Sequence, residues 1–197
     1  MEAFADNTQA ITNANLIILA VKPQDLNKIT SELKSSIEPD QTALSIIAGT
    51  KIPTIMHSLE HSSVIRVMPN TPAQIGCGMS MWTCTPQVDL TTKEVTRAIL
   101  SSVGQEIFVE DEKYLDMATA LSASGPAYVF LFIEALIDAG VYVGLPRDIS
   151  RTLALQTVYG STQLVLKTGN HPAILKDMVV SPGGTTAEGL QALELGG

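Results

Sequence analysis

The stretch Ser181–Glu188 carries residue types that suit the binding of a small anion. Its sequence, SPGGTTAE, combines two glycines that allow a tight turn with two threonine hydroxyls that can donate hydrogen bonds. Thr185 and Glu188 have the spacing of a capping box, which predicts that a helix starts here. The free N–H groups and the dipole of such a helix attract anions. An ordinary capped helix after a turn explains the same pattern, so both interpretations stay open.

Two further candidate segments follow predicted strands. The uninterrupted apolar run Leu16–Val21 is followed by Lys22-Pro23, and the predicted strand at residues 42–47 is followed by Ala48-Gly49. Open α/β sheets bind ligands at the carboxyl ends of their strands, so Lys22 and the backbone beside it are candidates for contacting a cofactor. Proline and glycine also simply stop strands, and that interpretation stands beside the functional one.

Two other patterns are weaker. The Gly-x-Gly at Gly76–Gly78 lacks the third glycine of a dinucleotide fingerprint and follows a proline turn, which predicts a loop. His57 and His61 have an i,i+4 spacing that can hold a metal, but no carboxylate or cysteine cluster supports them. We therefore interpret these histidines as part of a solvated helix face and predict no metal site.

Composition limits the classes of protein to consider. The chain has 197 residues, of which 45% are hydrophobic and 16% charged, and this excludes disordered, collagen-like and disulfide-scaffold proteins. A formal net charge of -8 argues against nucleic acid as a partner, because phosphate backbones require clustered Lys and Arg. The segment Met1–Asp6 has two acids and no basic apolar stretch, so we expect no signal peptide and a cytoplasmic location.

The positioning elements divide the chain into two predicted domains. Strands are predicted at residues 16–21, 42–47, 64–68 and 106–109, with helical segments between most of them, and a further apolar segment lies at residues 78–83. This alternation predicts an α/β domain with right-handed βαβ units over residues 1–110. Residues 111–197 show only helical patterns, which predicts a second, all-helical domain.

The first long helix of that second domain is unusually apolar. It is predicted over Ala127–Val143, where every face is apolar except at Glu134 and Asp138, so we expect it to be buried all round. With 17 residues and two acids it is too short and too charged for a membrane span, and no membrane is predicted. A helical half of this size cannot bury such helices alone, so a partner chain is the simplest cover.

Five motifs, taken in order, resemble pyrroline-5-carboxylate reductase, the NAD(P)H-dependent enzyme of the last step of proline synthesis. They are Ala20–Pro23, Met68–Pro72, Leu121–Tyr128, Gly144–Pro146 and His171–Thr186. The resemblance implies a Rossmann-type doubly wound sheet followed by an all-helical dimerisation domain that interlocks with a second subunit. It also implies NADPH or NADH as cofactor, pyrroline-5-carboxylate or proline as ligand, and a homodimer or a larger ring of dimers.

The resemblance further implies roles for individual residues. Cofactor contacts fall on Asn7, Ala20, Val21, Lys22, Pro23, Ile46, Ile47 and Ala48. Substrate contacts fall on Glu112, Asp177, Met178, Ser181, Thr185 and Thr186. Thr186 is expected to act in catalysis by a hydrogen bond to the ring nitrogen, while N–H groups of the loop hold the carboxylate. No covalent nucleophile is needed, because positioning and charge complementarity carry hydride transfer to an activated imine.

The chain departs from that family at both ends. The family begins with a strand, a glycine-rich turn and a helix that hold the cofactor pyrophosphate, and we expect this chain to lack that first βαβ unit. We also expect it to stop before a further C-terminal helix. Two alternatives remain: a non-catalytic, truncated paralogue that only dimerises, and a hydroxyacid-dehydrogenase-like oxidoreductase. The second alternative calls for a catalytic Lys or His on the long helix, and residues 127–143 contain neither.

Overall fold

Five strands form one sheet in the computed structural model, which describes residues 2–196. The strands follow one another in chain order across the sheet: β1 (Leu16–Leu19), β2 (Thr42–Ser45), β3 (Val64–Met68), β4 (Gly78–Cys84) and β5 (Gly104–Phe108). The four predicted strands are present and the apolar segment at residues 78–83 forms β4, although β1 and β2 each end two residues earlier than the apolar runs predict. An apolar run indicates which residues are buried, and burial can continue past the last hydrogen bond between the strands. This explains why the runs are longer than the strands.

One strand pair is antiparallel, which the sequence pattern did not predict. The pairs β1–β2, β2–β3 and β4–β5 are parallel, whereas β3 and β4 are antiparallel. The connection between β3 and β4 holds only a short 3-10 turn, Thr71–Ile75. A parallel pair needs a crossover of about a dozen residues or more, so a connection this short returns the chain in the opposite direction.

Helices cover both faces of this sheet. The helices before the long apolar one are α1 (Asn7–Ala10), α2 (Leu26–Leu33), α3 (Ile52–Leu59), α4 (Leu90–Ser102) and α5 (Lys113–Ala118), together with a 3-10 turn at Pro23–Asp25 and a π-helical turn at Thr119–Ala123. Residues of α2 and α3 share one buried cluster with Ala43 and Val64, while Leu100 of α4 shares another with Leu44 and Ile65. Successive strand residues point to opposite faces, so each face has its own core. The predicted α/β class is confirmed.

The remaining helices form a second compact unit. The chain divides after Tyr128, within α6 (Gly125–Tyr142), and the helices α7 (Arg147–Thr168), α8 (Pro172–Asp177) and α9 (Thr185–Gly196) follow. The division after Tyr128 reflects the compactness of the folded units, whereas the boundary near residue 110 is placed where the sequence pattern changes. The domain boundary near residue 110 therefore stays a prediction.

The second unit buries little of its apolar surface. Among its described residues, 129–196, only Ser150 and Ala154 are fully buried. On α6, Phe130 is 61% exposed and Leu131 67% exposed. Within a single chain this helix is therefore not buried all round, because the other helices of the unit do not surround it, and a partner chain stays the expected cover.

The apolar helix is also part of a longer helical segment than predicted. Helices α5 and α6 and the π-helical turn between them form a segment over Lys113–Tyr142, 30 residues long. The expectation that the segment is too short for a membrane span is thus wrong in length, and by length and composition alone the segment passes as a candidate span. An apolar helix of a soluble protein passes the same test, so this is weak evidence for a membrane.

Candidate functional site

The ends of β1 and β2 bring the two stretches predicted to contact the cofactor side by side. The strands are parallel, with Leu19 opposite Ser45, and the Ile46 N–H donates to the Leu19 carbonyl at 3.2 Å. The segments Ala20–Pro23 and Ile46–Ala48 therefore leave the sheet at the same edge. This is the carboxyl edge, where open α/β sheets bind their ligands.

Most of these residues can be reached by a ligand. Lys22, Pro23 and Ala48 are exposed, and Ile46 is 36% exposed. Ile47 is an exception, because its side chain is 2% exposed and belongs to the buried cluster that includes residues of α2 and α3. Any contact between Ile47 and a cofactor is therefore made by its backbone.

Asn7 lies beside the end of β1 and not beside β2. It lines a groove of about 250 Å³ together with Ala20 and Val21. Its side-chain Nδ2 donates to Glu32 Oε2 at 2.7 Å, so this amide already has one partner. The residues Ile46–Ala48 do not line this groove.

The carboxyl edge fits a dinucleotide in its general chemistry. Small side chains at Ala20 and Ala48 leave the backbone accessible, and Lys22 places a cation at the same edge. Backbone N–H groups and one positive charge are groups that bind phosphates. The residues present at the two strand ends are thus compatible with a nicotinamide dinucleotide.

Glu112 is the only predicted substrate residue in the first unit, and its carboxylate has two protein donors. Its Oε1 accepts a hydrogen bond from the Ile52 N–H at 2.7 Å and another from Arg66 Nη1 at 2.7 Å. Ile52 is the first residue of α3, whose capping position, Lys51, makes no side-chain cap. Glu112 therefore caps α3 from a distant part of the chain, where a carboxylate also complements the helix dipole. Ile52 follows Ala48 by four residues, so Glu112 is attached to the loop that carries a predicted cofactor stretch.

Sequence reasoning missed Arg66 and Asp116, which complete this ionic cluster. Arg66 lies in β3, its side chain is 1% exposed, and its Nη2 donates to Asp116 Oδ1 at 2.8 Å. Lys51 Nζ lies 3.9 Å from Asp116 Oδ2. An arginine within the apolar strand VIRVM was the available signal, because a buried guanidinium requires carboxylate partners.

Asn70 connects two of the five motifs. Its Nδ2 donates to the Ser122 carbonyl in the π-helical turn at 3.1 Å, and its Oδ1 accepts from the Met79 N–H at 2.8 Å. Both polar atoms of the amide are thus used within the protein. The side chain links the turn after β3 to β4 and to the segment that leads into α6.

In the second unit, the loop before α9 has the predicted tight turn. Gly183 has a φ of +66°, a left-handed conformation that favours glycine, and the Gly184 N–H donates to the Ser181 carbonyl at 3.0 Å. A Cβ on Gly184 would lie too close to the Ser181 hydroxyl oxygen, so the Ser181 side chain would have to move to accept any other residue there. Within residues 129–196, the Thr185 and Thr186 N–H groups have no acceptor, as expected for the first turn of a helix.

The predicted capping box does not form. Helix α9 begins at Thr185 itself, and in the described part of the second unit no hydrogen bond joins Thr185 to Glu188. Because Thr185 lies inside the first turn, its side chain is one position too late to cap the helix. The Glu188 N–H instead donates to the Gly184 carbonyl at 3.4 Å.

The other predicted substrate residues of this unit are accessible. Ser181, Thr185 and Asp177, the last residue of α8, are exposed, Met178 is 72% exposed, and Thr186 is half-buried. The turn thus places Ser181, Thr185 and Thr186 within one short segment, while Asp177 and Met178 precede it by a few positions.

No metal centre is found in the described part of the chain. Residues 2–196 contain no group of three or more His, Cys, Asp or Glu side chains arranged to hold a metal ion. His61 Nε2 lies 2.8 Å from the Gln41 carbonyl oxygen, so this histidine has a structural partner.

Comparison with known proteins first defines a class. Residues 1–49 match a family model described as NADP oxidoreductase, coenzyme F420-dependent, and residues 112–197 match one described as pyrroline-5-carboxylate reductase dimerisation. Together with the sheet and its accessible carboxyl edge, these matches define a Rossmann-like oxidoreductase domain followed by a helical dimerisation domain. The exposed helices of the second unit and the segment Lys113–Tyr142, which passes as a membrane span, lie within the dimerisation match.

Relatives over the whole chain then define the family. The pyrroline-5-carboxylate reductase of Arabidopsis thaliana is 41% identical over 196 residues, which cover 100% of this chain and 71% of the relative. That of Escherichia coli K12 is 42% identical over 194 residues, covering 96% of this chain and 71% of the relative. A crystal structure of Plasmodium falciparum pyrroline carboxylate reductase with NADP bound superposes with a TM-score of 0.92 at 38% identity, covering 98% of this chain and 73% of that one. This chain belongs to the pyrroline-5-carboxylate reductase family.

Proposed function

We propose that this protein reduces pyrroline-5-carboxylate to L-proline with NADPH or NADH. The observation that carries the proposal is the turn before α9, whose Gly183-Gly184 geometry leaves the N–H groups of Thr185 and Thr186 open toward an anion. The family supports the reaction, since the relatives named above are pyrroline-5-carboxylate reductases.

The first unit contributes the cofactor contacts in this proposal. Bound NAD(P)H supplies the hydride that is delivered to C5 of the cyclic imine. The contacts are those of Asn7, Ala20, Val21, Lys22, Pro23, Ile46, Ile47 and Ala48. Lys22 supplies positive charge for the cofactor phosphates, and the exposed backbone around Ala20 and Ala48 supplies hydrogen-bonding groups.

The second unit contributes most of the substrate contacts. The N–H groups at the start of α9 bind the substrate carboxylate, an arrangement that the helix dipole favours. The Thr186 hydroxyl bonds to the ring nitrogen and orients the imine, and Ser181, Thr185, Asp177 and Met178 line the substrate. Glu112 is the remaining proposed substrate contact and offers a carboxylate oxygen. Positioning and electrostatic complementarity account for catalysis without a covalent nucleophile.

Assembly is part of the proposal. The exposed apolar side chains of α6 and α7 call for a cover, and we infer a homodimer or a ring of dimers in which a second copy supplies it. Residues 111–197 act in this view as a dimerisation and substrate-binding domain, and the protein works in the cytoplasm without nucleic acid or membrane partners.

Thr186→Ala tests the proposed substrate site. Loss of the hydrogen bond to the ring nitrogen should weaken proline binding by about 1–3 kcal/mol, the cost of leaving one polar group unpaired. Calorimetric titration with proline and the fall in NAD(P)H absorbance with the imine measure binding and turnover. Thr162→Ala is the matched control, because that exposed hydroxyl donates only to the Val158 carbonyl of its own helix.

Each alternative function has its own outcome in this experiment. Equal proline affinity for Thr186→Ala and the wild-type protein would contradict the assignment of Thr186. Proline binding without any oxidation of NAD(P)H would favour the non-catalytic paralogue. Oxidation of NAD(P)H with a 2-keto acid but not with the imine would favour a hydroxyacid dehydrogenase.

A further inference from the structure

Arg66 holds two carboxylates that belong to one short segment. Its side chain is buried within β3, and its two terminal nitrogens donate to different acids, Nη1 to Glu112 and Nη2 to Asp116. A guanidinium that only neutralises one buried acid commonly binds both oxygens of a single carboxylate. Here the donor pair is divided between two acids four residues apart, so neither acid has both of its oxygens bound by Arg66.

The division leaves Glu112 in an asymmetric state. Both of its protein hydrogen bonds, from Ile52 and Arg66, end on Oε1. Among residues 2–128 no donor bonds to Oε2, and the Glu112 side chain remains 24% exposed. A carboxylate oxygen of a partly exposed side chain that has no protein donor can accept one from water or a ligand. The Glu112 carboxylate is thus held in place by one oxygen and open at the other.

Asp116 plays a different part in the same cluster. Its side chain is 44% exposed, it accepts from Arg66 Nη2, and Lys51 Nζ lies 3.9 Å from its second oxygen. Both oxygens of Asp116 therefore face a cationic group within the protein. The two acids differ in this respect, and only Glu112 keeps an open oxygen.

We propose that Arg66 is a positioning residue for the reaction, which fixes the Glu112 carboxylate so that Oε2 accepts a hydrogen bond from the ring N–H of the ligand. This inference rests on the proposed function, in which Glu112 contacts the substrate. The pyrrolidine ring of proline carries N–H donors and a carboxylate oxygen can only accept, so the two groups are complementary. Arg66 itself does not touch the ligand and acts through Glu112.

A double-mutant cycle between Arg66 and Glu112 tests the proposal. Arg66→Lys keeps the charge, but an ammonium group cannot hold two carboxylates in the fixed geometry of a guanidinium. The measured quantities are the Kd for proline by calorimetry in the presence of NADP⁺, and the KM values for the imine and for NADPH. We expect Arg66→Lys and Glu112→Gln each to weaken proline binding about 10-fold, with the KM for NADPH within about 2-fold of wild type. The double variant should bind proline no more weakly than Glu112→Gln alone.

Asp116→Asn is the matched control. An asparagine side-chain oxygen still accepts from Arg66 Nη2, so Arg66 and Glu112 should stay in place and proline affinity should change less than about 2-fold. Ile52→Pro is a second variant in case Arg66→Lys fails to fold. It removes the Ile52 N–H, which is the other donor to Glu112 Oε1. Ile52 is the first residue of α3, a position that tolerates proline, and Lys51 before it already has the extended backbone that a following proline requires. We expect Ile52→Pro to weaken proline binding about 3-fold.

The outcomes separate a positioning role from a structural one. Multiplicative effects in the double variant, about 100-fold in total, would show that Arg66 acts independently of Glu112 and would overturn the inference. A lower Tm for Arg66→Lys with unchanged proline affinity would assign Arg66 a purely structural role. Unchanged affinity in Glu112→Gln would also overturn the inference and the proposed Glu112 contact, while the proposed reduction of the imine would stand. A wild-type protein that binds no proline would contradict the proposed function and the inference together.

Discussion

The two compact units of this chain differ sharply in how much of their apolar surface they bury themselves. The first unit has a core on each face of its sheet, with Leu44 2% and Trp82 0% exposed. In residues 129–196 of the second unit, large apolar side chains such as Leu131 remain mostly exposed. Soluble proteins seldom expose apolar patches of such extent unless a partner covers them.

The contrast teaches that stability has two sources here. The first unit satisfies its own hydrophobic requirement, so a truncation in its core should appear in its unfolding. The second unit requires a cover, so a change on its surface should appear in assembly. The chain has one tryptophan, Trp82, which lies in the core of the first unit against Phe108. Its fluorescence therefore reports on unfolding of the first unit alone.

Leu44→Ala should have the largest effect and should be confined to the first unit. Truncating a buried leucine removes packed atoms and leaves a cavity, which lowers the free energy of unfolding by about 2–5 kcal/mol. Urea unfolding followed by Trp82 fluorescence at a fixed protomer concentration measures this loss. A comparable loss on truncating the exposed Leu90 to alanine would contradict the assignment of the core.

Leu131→Asp should break assembly and leave the sheet intact. A charge on the exposed apolar face of α6 should weaken association by about 2–4 kcal/mol, as loss of a central interface contact does. Sedimentation at micromolar concentration should show monomers, while the Trp82 fluorescence spectrum near neutral pH should stay the same as that of the wild-type protein. Leu90→Asp is the matched control, since Leu90 is 78% exposed in the first unit and Leu131 is 67% exposed in the second. Loss of assembly in both variants, or in neither, would remove the contrast between the units.

Asp89→Ala should have the smallest effect, and that effect should depend on pH. The Asp89 carboxylate caps α4 by accepting the Thr92 N–H at 2.6 Å, and this hydrogen bond holds the pKa of Asp89 below its ordinary value of 3.8. Because the folded pKa is the lower one, the stabilisation is present above the unfolded pKa and is lost as pH falls through the folded pKa. The Tm of wild type should exceed that of Asp89→Ala at neutral pH, and the difference should shrink below about pH 4.

Asp89→Asn separates capping from charge in this measurement. Asparagine caps a helix without titrating, so its Tm advantage over Asp89→Ala should not change with pH. A constant difference between wild type and Asp89→Ala down to about pH 2 would contradict the titration of this cap.

Much of the local structure could be predicted because its causes lie close together in the chain. The strand at Val64–Met68 and the start of α7 at Arg147 were predicted as observed, since apolar runs, prolines and glycines act over a few residues. The same holds for the turn at Ser181–Gly184, whose glycines allow its geometry. The capping box failed, because a shift of one residue at a helix start moves a side chain from the cap into the first turn.

The sequence by itself determined which segments become strands and helices and that the apolar helix needs a cover. Only the tertiary structure decided that β4 runs antiparallel to β3 and that the partners of Arg66 are Glu112 and Asp116, 46 and 50 residues away. The physical reason is range. Backbone preferences and burial patterns are set by neighbours in the chain, whereas strand direction and ion pairing depend on which distant segments the folded chain brings together.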